Sequence, residues 1–262
     1  MRGTLPWRPM SKSIFVTGAA SGIGKATALL FGGRGWRVGC YDVDVDGART
    51  VAETIGRLAL HGRLDVTSEE SWRLCVADFE AATGSKMDVL FNSAGILRMG
   101  RFEDIAPIES KKQLDINVYG IVLGVHACLP ALERSRGTIV NMSSASAIYG
   151  QPELAVYSAT KFAVRALTEA LDIELRRKGI RVCDVMPGFV ETPMLTEQQT
   201  PAATVAKLGV KLKAEDIADV VWKAAHGTGL HYIPQNDLKI LTRLNGLLPE
   251  LGRVVMHKLA NR

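Results

Sequence analysis

A chain of 262 residues with 47% hydrophobic content is long enough to bury one α/β core and barely long enough for two small ones, so a single domain is expected. Its net charge of +5 comes from 32 basic side chains spread among 27 acids, without the basic block and interleaved aromatics of a nucleic-acid face. Cys40, Cys75, Cys128 and Cys183 show no CxxC or zinc spacing, which argues against disulfides and structural metal and for a thiol-reducing, cytoplasmic setting.

The opening MRGTLPWRPMSKS has charge and prolines but no apolar stretch of signal-peptide length, so residues 1–12 read as a fraying leader to a domain over 13–262. No segment reaches ~18 uninterrupted apolar residues, which predicts a soluble protein. SIFVTG predicts a strand that stops at a glycine, GIG a tight turn, and KATALLFGGRG a helix with a glycine-rich end. WRVGCYDVD, GARTVAETIGR and RLALHGRLDVT continue as strand, helix, strand. A helix over SEESWRLCVADFEAA, a buried strand at KMDVLFNSAG, a long helix from about Ile108 to Leu132 and a strand at GTIVNMSS follow. The next helix spans about Leu154 to Lys178, IRVCDVMPG is a strand, and TPMLTEQQTPAATVAKLGVKL is polar and irregular before EDIADVVWKAAHG and the strand LHYIP. This alternation predicts a Rossmann-type, doubly wound parallel sheet of about seven strands with helices on both faces.

In such sheets ligands lie beyond the carboxyl ends of the strands, so the residues that follow each strand are the informative ones. After the first comes TGAASGIG, whose Gly18, Gly22 and Gly24 let backbone approach a pyrophosphate at a helix N-terminus. Asp42 ends the second strand, 24 residues beyond Gly18, near the interval at which an acid takes the adenosine ribose hydroxyls. A carboxylate there repels a 2′-phosphate, and Val43 rather than an arginine follows, which favours NAD over NADP. Asp65 with Val66, and Asn92-Ser93-Ala94-Gly95, end the third and fourth. Ser143-Ser144 end the fifth, Tyr157 lies 13 residues beyond Ser144, and Lys161 stands at its i+4 position. On a helix this puts phenol and ammonium on one face. A tyrosine near pKa ~10 is a sluggish base at neutral pH, and a neighbouring cation favours its phenolate.

TGAASGIG, LDV at 64–66, NSAG at 92–95, Asn117 in LDINVYG, Ser144, YSATK at 157–161 and PGFVETPM at 187–194 together resemble the short-chain dehydrogenase/reductase (SDR) family, from about Ile14 to Met194. The resemblance implies an NAD(H)-dependent oxidoreductase that interconverts an alcohol with its ketone or aldehyde. It makes Tyr157 the general acid/base, Ser144 the holder of the substrate oxygen, Lys161 the ligand of the nicotinamide ribose and the group that lowers the tyrosine pKa, and Asn117 the holder of a water leading to Lys161. Gly18, Ser21, Gly22, Ile23, Gly24, Asp42, Asp65, Val66, Asn92, Ala94 and Gly95 would bind the dinucleotide together with Tyr157 and Lys161. Pro187, Gly188 and Val190 would line its nicotinamide and Thr192 its carboxamide. Ser21 stands where NADP-preferring relatives often carry a basic residue. Ser93 departs from the more usual NNAG.

Ile96, Met99, Ile148, Tyr149, Met194 and Leu195 lean apolar on the substrate side, which suits a lipophilic alcohol or carbonyl. The resemblance further implies that residues 189–212 form a variable substrate loop. The tail from about 234 carries Leu241, Leu244, Leu248, Leu251, Val255 and Leu259 at helical spacing, unlike the glycine-rich strand and short tail with which many tetrameric members close. It is expected to fold onto the substrate cleft or a partner subunit, with adsorption to a membrane surface as the lesser alternative. Ala155, Ala159, Ala163, Leu167 and Leu171 make a small-residue stripe that suits helix-to-helix pairing in a homodimer, with a homotetramer as the larger option. The histidines, His61, His126, His226, His231 and His257, have no ligand spacing, so no metal is expected. The competing function is a dinucleotide-sensing protein of the same fold without turnover.

Overall fold

The structure, a computed structural model, describes residues 11–198, 202–247 and 257. In chain order it contains β1 (Ser13–Thr17), α1 (Gly22–Gly33), β2 (Arg37–Asp42), α2 (Val45–Ile55), β3 (Ala59–Arg63), α3 (Glu69–Thr83) and β4 (Val89–Asn92). Then come α4 (Pro107–Leu114), α5 (Gly120–Ser135), β5 (Thr138–Met142), α6 (Ala155–Leu175) and β6 (Arg181–Val185). The last part holds β7 (Val190–Glu191), α7 (Pro193–Thr196), α8 (Ala203–Leu208), β8 (Leu212–Lys213), α9 (Ala214–His226), β9 (His231–Tyr232) and α10 (Asn236–Leu247). Seven strands form one parallel sheet in the order β3-β2-β1-β4-β5-β6-β9, and β7 and β8 pair separately. This is the expected doubly wound arrangement, with the chain reversing direction across the sheet between β1 and β4.

Strand periodicity sorts the core into two halves. Ile14, Val16, Val89, Phe91, Val140 and Met142 face one side, where they meet α1, α2 and α9 through residues such as Phe31, Val51 and Val221. Phe15, Leu90 and Ile139, at the alternate positions, face α3, α5 and α6, where Trp72, Phe79, Leu132 and Val164 fill the layer. Because both faces are covered, the strands read as near-continuous apolar runs. Local signals fix the ends: the Ser68 hydroxyl accepts the Ser71 N–H at the start of α3, and Gly84 closes that helix in the left-handed region.

The long helix predicted from Ile108 to Leu132 is continuous from Pro107 to Ser135, with a π-helical turn over Asp115–Tyr119 joining α4 to α5. Its length and composition would also suit a membrane crossing. Its apolar side, including Ile121, Val125 and Leu132, is instead packed against the sheet. The segment read as irregular, 192–212, contains α7 and α8 and leads into β8, with Pro193 opening α7. On α6 the expected stripe is half right: Ala155 and Ala159 are exposed, but the outward line then continues through Phe162, Ala166, Ala170 and Ile173, because a spacing of exactly four drifts around a 3.6-residue helix. Tail residues Leu248, Leu251, Val255 and Leu259 and most of the leader lie outside the described residues.

Candidate active site

Gly18, Asp42, Asp65, Asn92, Ser144 and Pro187 follow or end β1 to β6, so the parallel sheet brings them to one edge. A cavity of about 430 Å³ opens there. Of the residues predicted to bind the dinucleotide, only Asn92 is off its wall. Asn92 is buried and its side-chain amide donates to the side-chain Oδ1 of Asn141 at 2.9 Å, a bond that ties β4 to β5 inside the sheet.

At the glycine turn, backbone packing leaves no room for side chains. Gly18 sits at φ +70°, and a Cβ there would come within 2.9 Å of the Ala94 Cα. A Cβ on Gly24 would come within 2.0 Å of the Gly18 carbonyl oxygen. The Thr17 hydroxyl accepts both the Ser93 and Ala94 N–H groups at 3.0 Å, so the NSAG turn is held through its backbone, which explains why Ser93 can replace an asparagine. Asp42 accepts the Ala20 N–H at 2.9 Å and the Asp44 N–H at 3.0 Å, fixing its carboxylate beside the turn. A glycine-floored turn opening helix α1, with an acid beside it at one end of a long cavity, fits a dinucleotide's pyrophosphate and adenosine ribose.

The other end of the cavity holds the hydroxyl groups. Ser144 accepts the Ser146 N–H at 3.1 Å and hydrogen-bonds Tyr157, which pulls the Tyr157 pKa down, but burial outweighs it and pushes the phenol up to about 12. The Lys161 ammonium is buried, donates to the Met142 carbonyl oxygen at 2.8 Å and lies 5.4 Å from the centre of the Tyr157 ring. Burial lowers its pKa to about 8. Asn117 lies in the π-helical turn, off the cavity wall, its side chain accepting the Ile96 N–H at 2.8 Å and donating to the Ile96 carbonyl at 2.9 Å and to Thr160 at 3.2 Å. Both of its amide hydrogens are committed, so its side chain braces the turn after β4.

On the substrate side, Ile96, Tyr149, Met194 and Leu195 line the cavity as expected, whereas Ile148 and Met99 pack behind it. Burial, reinforced by Asp237, raises the Tyr149 phenol. The wall also includes Gln151 and Gln235, which sequence reasoning did not single out, together with Leu238 and Leu241 of the tail. Gln235 accepts the Gly188 N–H at 2.7 Å, and Leu238 and Leu241 of α10 pack on Ile148, Tyr149 and Met186. The expectation that the tail folds onto the cleft holds for its described part. The spacing of Leu238 and Leu241 was the available signal, but it does not say which surface such a helix covers.

Among the described residues no cluster of three or more His, Cys, Asp or Glu could hold a metal. His231, given no role from sequence, donates from Nδ1 to the buried Asp184 at 2.9 Å.

The match to the short chain dehydrogenase family model runs over residues 12–203. The chain is 38% identical over 188 residues to a 3-alpha-(or 20-beta)-hydroxysteroid dehydrogenase of Mycobacterium bovis, covering 71% of this chain and 72% of the relative. It is 34% identical over 223 residues to trans-4-hydroxycyclohexanecarboxylate dehydrogenase of Sinomonas cyclohexanicum, covering 82% and 85%. The crystal structure of a 3-ketoacyl-(acyl-carrier-protein) reductase from Brucella melitensis, complexed with NADH, superposes with a TM-score of 0.78 at 31% identity, over 86% of this chain and 97% of that one. The chain belongs to the short-chain dehydrogenase/reductase family of oxidoreductases acting on alcohol groups.

Proposed function

We propose that this protein interconverts a lipophilic ring alcohol and its ketone with NAD(H), using Tyr157 as the proton carrier. The observation that carries this reading is the convergence of Ser144, Tyr157 and Lys161 at one end of a cavity whose other end is the glycine turn and Asp42. Bound there, a nicotinamide dinucleotide would accept or supply the hydride. Gly18, Gly22, Gly24 and the start of α1 would hold its pyrophosphate, and Asp42 its adenosine ribose. Ser144 would orient the substrate oxygen by a hydrogen bond. Tyr157 would take the hydroxyl proton as the alcohol is oxidised and return it during reduction. Lys161, held by the Met142 carbonyl, would place positive charge beside the phenol and meet the nicotinamide ribose.

The mixture of Ile96, Leu97, Leu154, Met194, Leu195 and Leu241 around the reacting end supports an apolar substrate, in keeping with relatives named for steroid and cyclohexane alcohols. The experiment is Tyr157→Phe. Turnover should vanish while NADH binding stays nearly intact, because the change removes a proton carrier and little contact area. A variant that keeps its kcat overturns the mechanism.

For assembly, the outward line of α6 carries Phe162 and Ile173 at 41% and 75% exposure between small alanines, and neighbouring α4 and the π-helical turn expose Leu114 and Tyr119. This supports a homodimer through that face. Sedimentation as a 28.4 kDa particle at micromolar concentration counts against it. Four free, buried cysteines agree with a reducing, cytoplasmic setting.

A further inference from the structure

Helix α8 begins without a cap of its own. Its cap residue, Ala202, has no side-chain oxygen to accept from the first turn, where a Ser, Thr, Asp or Asn is usual. The six residues of Ala203–Leu208 are too few to hold a helix by themselves. Yet the start of α8 is buried, with Ala202 and Thr204 each at 1% exposure. What anchors it comes from elsewhere in the chain: the Ala203 N–H donates to the Glu153 carboxylate at 2.6 Å, and the Ala202 N–H to the Met99 sulfur at 3.4 Å.

Glu153 is also where two other segments meet. Its carbonyl accepts the Gly100 N–H at 3.0 Å, which joins the turn before α6 to the loop after β4. Met99 of that loop donates its N–H to the Gln198 side chain at 3.3 Å. The Glu153 backbone lies at φ +64°, a conformation that glycine adopts freely and glutamate only at a cost. The bond of its carboxylate to α8 offsets that cost. The junction backs an apolar cluster of Leu97, Leu154 and Ala202 on which Tyr157, Leu195 and Val205 pack. Leu97, Leu154, Leu195 and Leu208 are part of the cavity wall, and Glu153 is not.

We infer that Glu153 is a positioning residue for the substrate: its carboxylate caps α8 from 50 residues away and so holds the apolar wall around the ring of the alcohol. It acts through Leu97, Leu154, Leu195 and Leu208 rather than by touching the substrate. The inference rests on the alcohol-oxidising reading above and adds what shapes the apolar end of its site. Without the bond α8 loses its anchor, and a ring-sized substrate meets a looser wall. Binding then weakens in the ground and transition states alike, which raises KM and spares kcat. The cofactor end, built from the glycine turn and Asp42, is unaffected.

Three variants separate the side chain from the turn that carries it. Glu153→Ala and Glu153→Gly both remove the carboxylate, and the glycine also relieves the backbone, so a loss that the two share does not come from strain. Glu153→Gln keeps an acceptor oxygen. In the full-length protein, KM for cyclohexanol should rise about tenfold in the Ala and Gly variants with kcat little changed, and the Gln variant should recover most of that rise. NADH affinity, read by fluorescence titration, should stay within about twofold of wild type in all three. Hydrogen exchange should quicken over residues 202–208 in the Ala and Gly variants but not in the sheet. An unchanged KM, unchanged exchange over 202–208, or a Gln variant as impaired as the Ala one each overturns the inference. Faster exchange across the sheet, or weakened NADH binding, overturns it too, because Glu153 would then support the fold at large. If wild type oxidises no ring alcohol, the catalytic reading fails and the substrate role with it, while the exchange result still reports separately whether Glu153 caps α8.

Discussion

The Lys161 ammonium reaches back to the Met142 carbonyl oxygen, 2.8 Å away at the end of β5, and so sits inside the protein rather than in solvent. Burial lowers its pKa from 10.5 to about 8. Below pH 8 the folded protein keeps a buried charge that the unfolded chain would solvate, and between about 8 and 10.5 only the unfolded chain holds the proton. Stability linked to this group therefore rises with pH across that window. Lys161→Met should inactivate the enzyme yet stabilise it at pH 7 by about 1–3 kcal/mol, the loss of the Met142 bond offsetting part of the gain. Urea unfolding at pH 7 and pH 10.5 checks this. The gain should shrink at the higher pH, and a Lys161→Met protein that is less stable at both would remove the argument.

Tyr157 is raised to about 12 by burial, against the downward pull of Ser144, so the protein's own groups leave it a poor base at neutral pH. A positively charged nicotinamide ring beside it would favour the phenolate, and a neutral reduced ring would not. Phenolate absorbance, taken as wild type minus Tyr157→Phe, should titrate near 12 for the protein alone, shift down by a unit or more with saturating NAD+, and shift much less with NADH. Equal shifts with both forms would mean that ring charge does not tune the tyrosine.

Most of this was legible in the sequence because the sheet is buried on both faces and the chemistry sits at strand ends. Apolar runs such as IFVT and TIVNM mark strands without ambiguity, and each is followed by a short run of small or polar residues. Less legible was anything decided by packing between distant segments. Nothing in LDINVYG reveals that Asn117 will spend its amide on Ile96 and Thr160. Nor does the tail's spacing reveal that Gln235 meets Gly188. The two-residue pairing of β7 with β8 is too short to carry a periodicity at all.

Asp42 has two duties, and they predict two effects. Its carboxylate accepts the Ala20 and Asp44 N–H groups while lining the cavity where the adenosine ribose would lie. Asp42→Ala should narrow the ratio of kcat/KM with NAD to that with NADP by tenfold or more, since the charge that repels a 2′-phosphate is gone. It should also destabilise the fold by about 1–2 kcal/mol, because two amides lose their acceptor. Asp42→Asn keeps a carbonyl oxygen, so it should narrow the cofactor gap with a smaller loss of stability. An unchanged cofactor ratio in both variants would mean that the acid does not read the ribose.

His231 joins three elements through charge. From β9 it donates to Asp184 of β6 at 2.9 Å, and its other nitrogen lies 3.2 Å from Glu169 of α6, which also pairs with Arg165 at 2.8 Å. The hydrogen bond to Asp184 raises the histidine pKa above 6.5, against the opposing effects of burial and Arg165. Burial raises the Asp184 carboxyl as well, with His231 pulling it down. For a histidine raised on folding, the stabilisation is present below its unfolded pKa and is lost as pH climbs through the folded one. His231→Gln should therefore cost most near pH 6, about 1–2 kcal/mol, and less near pH 9, where the neutral ring keeps only its hydrogen bond to Asp184. The β9 strand runs directly into Gln235 and α10, so the same substitution should raise KM for the alcohol more at pH 6 than at pH 9. Thermal unfolding and steady-state kinetics at the two pH values check both effects. A penalty that does not fall with rising pH would show that His231 contributes packing rather than charge.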